Sequence, residues 1–274
     1  MRFSSRDLGA LAEVLRKAAA TEIMPRFRRL PAGGVRKKTG PLDLVTDADE
    51  AAEAQITQAL EKAFPGCVVV GEEAATGNPA LIGRLADAEL AFAIDPVDGT
   101  SNFAAGLPLF GVMAAVVEHG RTVAAIILDP VCNSYSAAML GGGAAEHAAD
   151  GSVVALHVAA PVPVAEMTGM VSWRFMPAAL RDRVLPALPR FAQTWDHRCA
   201  AHEYRALIAG HSSFVVFNRL MPWDHLPGVL LLAEAGGYSA KFDGSAYQPG
   251  DVTGGLICAS DTSAWDSVRG VLLG

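Results

Sequence analysis

Residues 111–130, GVMAAVVEHGRTVAAIILDP, constrain the fold of this chain more than any other stretch. Two apolar runs flank a His-Gly pair, a pattern that predicts two strands joined by a tight turn, a β-hairpin. Neither run is long enough to span a bilayer. At 274 residues, 51% hydrophobic and 19% charged, the composition is that of a folded globular protein, with room for one large domain or two intimate ones. The net charge of −7 disfavours nucleic acid and anionic membrane as partners, and an anionic substrate would need a local positive centre.

Around the hairpin the periodicity changes along the chain. Residues 6–28 carry a helical stripe of Leu8, Leu11, Val14 and Leu15, an ordinary amphipathic first helix rather than a signal sequence. PAGGVRKKTGP (31–41) reads as a loop. A helix is expected over about 47–63, capped by Thr46 or Asp47 and closed by Pro65-Gly66. CVVVGEE (67–73) and ELAFAIDP (89–96) read as short buried strands that run into acids, and short strands continue through 131–158 with a GGG turn. From about 159 the composition shifts. TGMVSWRF and SSFVVFNRL are strand-like, while 177–190, 200–209 and 223–237 are helical, the last ended by Gly236-Gly237. The pattern predicts a mixed α/β chain in two halves, 1–158 and 159–274, the first richer in antiparallel strands. The four cysteines are scattered with no C-x-x-C and read as buried thiols in a reducing compartment, so a cytoplasmic protein is the expectation.

The acids at the strand ends carry the chemistry. Asp95 and Asp98 are three residues apart in DPVDGTSNF, with Pro96 stiffening the turn and Gly99 permitting a positive φ. Like charges held close destabilise one another unless a cation sits between them. An all-oxygen ligand set suits a hard cation, and Mg²⁺ typically combines a few carboxylates with water and a substrate phosphate. Glu72 and Glu73 follow one strand, and Asp224 follows Trp223 at the mouth of a helix. No cysteine sits in a Gly-rich phosphate loop with a following arginine, which argues against non-metal phosphatase chemistry.

GEEA (71–74), DPVDGTSNF (95–103), WDHLPGVLLLAEAGG (223–237) and the upstream DLVTDAD (43–49) resemble the signature motifs of the inositol monophosphatase family, in the family's order and spacing. The resemblance covers nearly the whole chain. It implies a layered αβαβα sandwich of the inositol monophosphatase/fructose-1,6-bisphosphatase type, commonly a homodimer. It also implies a Mg²⁺-dependent, lithium-sensitive phosphomonoesterase with two or three ions. By that resemblance Glu72, Asp95, Asp98, Asp224 and the carbonyl of Val97 are metal ligands, with Asp95 bridging two ions. Thr100 and Asp49 orient and deprotonate the attacking water, Glu72 takes part in catalysis, and Glu73 supports it. Gly99 and Thr100 belong to the turn whose N–H groups hold the phosphate, Asp98 borders it, and Lys38 lies on a flexible loop near the site. Two metals can clamp a phosphate, acidify a water and stabilise the leaving oxygen.

The chain departs from that pattern on the substrate side. Phe217 stands seven residues before Asp224, where inositol-specific members have a hydroxyl-binding glutamate. RCAAHEYRALIAGH (198–211) replaces a GTAA-like run, so Arg198, His202 and Arg174 are candidates to face the leaving group. Besides inositol phosphates, the open substrates are a sugar bisphosphate, 3′-phosphoadenosine 5′-phosphate and histidinol phosphate. A non-catalytic binding protein on the same fold is the alternative of another class. His225, beside Asp224, is a candidate supporting residue.

Overall fold

The computed structural model describes residues 3–31, 33–40 and 43–274, the side chains of Thr39 and Asp43 excepted. Helix α1 (Ser5–Ala18) starts in a capping box between Ser4 and Asp7. The stretch expected to be a loop then contains a strand. β1 (Val35–Gly40) pairs antiparallel with β2 (Asp43–Thr46), while Ala32 and Pro41 of that stretch lie outside the described residues. The Arg-Lys-Lys run of β1 lacks apolar alternation, so its pairing left no pattern in the sequence. Thr46 caps α2 (Asp47–Ala63), again through a capping box, here with Asp49.

β3 (Val68–Gly71) leads straight into α3 (Glu72–Gly77), and α4 (Arg84–Asp87) precedes β4 (Leu90–Asp98). After α5 (Thr100–Ala104) come β5 (Gly111–Glu118) and β6 (Arg121–Asp129), the expected hairpin. His119 and Gly120 both take positive φ at its turn, as a type I′ connection requires. β7 (Ser134–Met139), β8 (Ala144–His147) and β9 (Val153–Ala155) extend the same sheet. Its seven strands lie in the order β3 to β9, with only β3–β4 parallel.

The later residues build a second sheet from β10 (Thr168–Val171), β11 (Gln193–Trp195), β12 (Phe214–Phe217), β13 (Tyr238–Lys241) and β14 (Leu256–Ala259), in the order β11-β10-β12-β14-β13. Four helices accompany it: α6 (Ala178–Val184), α7 (Ala200–Ile208), α8 (Pro222–Glu234) and α9 (Thr262–Leu273).

Alternation along the strands sorts these elements into layers. Phe92 and Ile94 of β4 and Val112, Ala114 and Val116 of β5 face Leu11, Leu15, Ile56 and Leu60 of α1 and α2. Their neighbours Ala91, Ala93, Met113 and Ala115 face Tyr204 and Leu207 of α7 and Leu231 of α8. Val215, Leu256 and Cys258 of the second sheet close that middle layer from the far side. Phe214, Val216 and Ile257 point outward against Val184 of α6 and Trp265 and Val268 of α9. The result is an αβαβα sandwich with three cores. Fully burying one such aliphatic or aromatic side chain stabilises by about 1.5–3 kcal/mol.

All four cysteines are free thiols, but only Cys199 and Cys258 are buried; Cys132 is exposed and Cys67 half-buried, against the expectation of four buried thiols. Among the described residues no helix is long and apolar enough to cross a membrane.

Candidate active site

The two aspartates of DPVD sit on a β-bulge, not on a turn. Asp95 pairs with Met113 and Asp98 with Gly111, so three steps along β4 match two along β5. In a regular strand, residues i and i+3 point to opposite faces. The extra residue of a bulge re-aims the strand and brings both carboxylates to one side. Pro96 falls inside the bulge, where a missing N–H does no harm. The N–H of Val97 donates to Oδ1 of Asp95 at 2.9 Å and fixes its rotamer. Gly99 follows at φ 85, and a Cβ there would lie 2.8 Å from the Leu109 carbonyl oxygen, so both the conformation and the space require glycine.

Asp224 arrives from the second half of the chain. Pro222 opens α8 and Met221 occupies the cap position, which leaves the Asp224 carboxylate available rather than capping its own helix. One carboxylate oxygen from each of Asp95, Asp98 and Asp224 lies within 4.8 Å of the others. Asp98 is further held by the N–H of Ala201 at 2.6 Å and the thiol of Cys199 at 3.0 Å, which tie it to the start of α7. Burial, with Glu72, Asp98, Asp224 and Asp49 nearby, holds Asp95 well above the usual carboxylate range. Burial likewise raises Asp224 well above it and Asp98 to about 6. Three acids this close, Asp95 buried and Asp98 and Asp224 half-buried, are mutually repulsive, and the hard-oxygen set fits divalent cations such as Mg²⁺.

Glu72 lines the same cavity. Its Oε1 accepts from Nζ of Lys38 at 2.8 Å, and Oε1 of Glu73 accepts from the same ammonium at 2.6 Å. Burial lowers the Lys38 ammonium, but the two carboxylates outweigh that and hold it above the ordinary lysine range. Burial and Glu72 push Glu73 up to about 8. Lys38 therefore sits on the two glutamates, and the cavity is lined by other side chains.

Thr100 and Asp49 are also brought together, across 51 residues of sequence. The hydroxyl of Thr100 has one proton and two acceptors, Oδ1 of Asp49 at 3.1 Å and the Val97 carbonyl at 3.0 Å. Oδ2 of Asp49 takes the N–H and hydroxyl of Thr46, so the capping box of α2 also aims the acid. Burial raises Asp49 to about 6 despite those two donors.

The substrate-side residues divide. Phe217 lines the cavity, yet its ring is only 5% exposed and packs between Tyr204, 5.2 Å away, and His225, 4.6 Å away. Arg198 and Arg174 both line the cavity. His202 does not line it: its Nε2 lies 3.2 Å from the Phe110 carbonyl, turned toward the first sheet, which corrects the expectation that it faces a leaving group. His225 is buried and held down at about 4 by that burial. Its Nε2 donates to the Arg219 carbonyl at 2.9 Å and its Nδ1 accepts from the Tyr204 hydroxyl at 3.1 Å, so it is a neutral strut.

Against this geometry, the sequence model of the inositol monophosphatase family matches residues 6–269. The chain belongs to the inositol monophosphatase family. Family relatives include a fructose-1,6-bisphosphatase/inositol-1-monophosphatase of Thermotoga maritima, 29% identical over 77% of this chain and 76% of that protein. The Nus factor SuhB of Escherichia coli is 32% identical over 75% of this chain and 74% of its own. Among solved structures, a T. maritima inositol monophosphatase superposes with a TM-score of 0.80 at 26% identity, covering 98% and 97% of the two chains. An inositol monophosphatase from Zymomonas mobilis gives 0.81 at 23% over the full length of both, a likeness of fold.

Three further residues, beyond the candidates named from the sequence, brace or line this site. Glu53 is buried in α2 and accepts the N–H groups of Glu73 and Ala74, both at 2.8 Å, which pins the segment carrying Glu72. Its place one helical turn after Asp49 was the available signal. Asn102 is buried in α5 and donates to the Leu109 and His197 carbonyls. Arg219 lines the cavity from the loop before α8, and nothing in its local sequence marks it.

Proposed function

We propose that this protein is a Mg²⁺-dependent phosphomonoesterase acting on a small phosphorylated metabolite. The observation that carries the reading is the convergence of Asp95, Asp98 and Asp224 within 4.8 Å, in the cavity that Thr100 also lines. Glu72, Asp95, Asp98, Asp224 and the Val97 carbonyl are the groups that would hold the ions. Bound divalent cations supply Lewis-acid charge for the phosphoryl oxygens and acidify water. The chain's own contribution is positional and acid–base. Thr100, donating to Asp49, keeps a lone pair free to accept a proton from water as its own proton passes to Asp49. A carboxylate raised to about 6 is still ionised at neutral pH and is a stronger proton acceptor than an ordinary aspartate. Gly99 and Thr100 present backbone N–H groups at the turn where the phosphate would sit.

Phe217 supports a leaving group other than a free polyol, because it cannot accept a hydrogen bond from a ring hydroxyl. A hydroxyl left unpaired on burial forfeits about 1–3 kcal/mol. A role of the kind in the name of the E. coli relative, Nus factor, would ask nothing of these acids; the complete carboxylate set favours hydrolysis. The test is a phosphate-release screen over phosphorylated metabolites with Mg²⁺, with EDTA, and with Mg²⁺ plus lithium. Release that needs Mg²⁺ and is inhibited by lithium is expected, with myo-inositol 1-phosphate not the best substrate. No release from any ester, p-nitrophenyl phosphate included, overturns the reading.

A further inference from the structure

We propose that the cavity selects a leaving group that carries a second phosphate, bound by Arg174, Arg198 and Arg219. The proposal rests on the phosphomonoesterase reading above and names its substrate class. The three arginines come from separate segments: the 3₁₀ turn after β10, the residues before α7, and the loop between β12 and α8. All three line the cavity that holds Asp95, Asp98 and Asp224.

Each guanidinium is held in place. Arg174 lies over the Trp173 ring, its carbon 5.6 Å from the centroid, and reaches Asp196 at 3.6 Å. Arg219 lies over the Phe175 ring at 5.7 Å, and its charge also bears on Asp224. Arg198 donates through Nη2 to Oδ1 of Asn102 at 2.6 Å, a neutral acceptor. Its backbone has φ 54, in the left-handed region that glycine occupies freely and a long side chain does not. The N–H of Arg198 donates to Oδ1 of Asp196 at 2.6 Å, which secures the strained residue. A conformation of this kind persists where the surrounding structure enforces it, and it clusters at binding sites.

Charge and donor chemistry decide the ligand class. Six acids line the cavity with the three arginines. Glu72, Asp95, Asp98 and Asp224 are the acids assigned to the ions, and Glu203 is buried with Oε1 on the His197 N–H, so Asp196, beside Arg174, is the acid left on the arginine side. An uncharged polyol needs acceptors as well as donors, and guanidinium offers donors only. A phosphate needs donors only, and the planar fork of arginine matches it in two parallel bonds.

The experiment compares substrates that differ by one phosphate. kcat/KM is measured for adenosine 3′,5′-bisphosphate against adenosine 3′-phosphate, and for fructose 1,6-bisphosphate against fructose 1-phosphate. Wild type, Arg174→Gln, Arg219→Gln and Arg219→Lys are compared at saturating Mg²⁺, with circular dichroism as the fold control. The wild type should prefer the bisphosphate of at least one pair by about tenfold or more. Each Gln variant should narrow that preference at least about threefold, mainly through KM, and Arg219→Lys should fall between. Monophosphates turned over as well as both bisphosphates, or a preference unmoved in the folded variants, overturns the inference and leaves the phosphatase reading standing. If no ester at all is hydrolysed, both fall.

Discussion

The Thr100 hydroxyl stands 3.1 Å from Oδ1 of Asp49, and the other oxygen of that aspartate closes the capping box of α2 with Thr46. One carboxylate thus starts a helix and backs a hydroxyl in the cavity. In the proposed mechanism Thr100 is the group that hands a proton to this buried acid. Thr100→Ala should lower kcat by about 10²–10⁴ with a smaller change in KM, since general-base assistance is typically worth that much. Steady-state kinetics with Mg²⁺ at saturation checks it. A drop of less than about fivefold would place the base elsewhere.

Stability of the metal-free chain should fall as pH rises. Asp49 and Asp98 sit at about 6 in the folded protein, and Asp95 and Asp224 are raised as well. An acid whose folded value exceeds its unfolded value binds more protons in the folded state. Stability is then full below the unfolded value near 4 and is lost as pH climbs through about 6. For Asp49 alone, at about 1.4 kcal/mol per pH unit, that is roughly 3 kcal/mol. The melting temperature in EDTA should be at least about 6 °C lower at pH 8 than at pH 5. Mg²⁺ should reverse the loss at pH 8. A flat profile in EDTA would refute the electrostatic account of the cluster.

Asp95→Asn separates charge from shape. Asparagine keeps an oxygen for the Val97 N–H and removes one buried negative charge. Phosphate release should be almost abolished, while the variant in EDTA at pH 8 should melt higher than wild type in the same buffer. Full activity of the variant would sink the assignment of Asp95 to the ions.

Glu53 is a positioning residue. Glu53→Ala leaves the part-buried N–H groups of Glu73 and Ala74 without their acceptor, each at a cost below the about 1–3 kcal/mol of a fully buried orphan. Because the segment carrying Glu72 is then unpinned, Mg²⁺ affinity measured by calorimetry should fall about tenfold, more than for Glu53→Gln, which keeps one acceptor. A Cβ at Gly71 would overlap the Glu53 carboxylate, so Gly71→Ala should weaken the metal in the same direction. Unchanged affinity in folded Glu53→Ala would show that Glu53 serves stability alone.

Sequence by itself determined the elements whose signal is local. The hairpin at 111–130 was legible because apolar runs and a turn pair are near-neighbour patterns. The helix over 47–63 and its Thr46 cap were legible for the same reason, as were the acids of GEE, DPVD and WD. The tertiary structure decided everything that depends on contacts across the chain. The bulge that turns Asp95 and Asp98 to one face exists only because β5 offers one residue fewer. The polar strand Val35–Gly40 is a strand because β2 pairs with it, through backbone groups that sequence does not distinguish. His202 and Arg198 stand four residues apart, yet one meets the Phe110 carbonyl and the other the cavity. Side-chain direction at the end of a helix follows from how that helix packs, and packing is a property of the whole sandwich. The gathering of Arg174, Arg198 and Arg219 has the same origin: three separate loops carry them, and only the sheet and helices between those loops bring their charges to one wall.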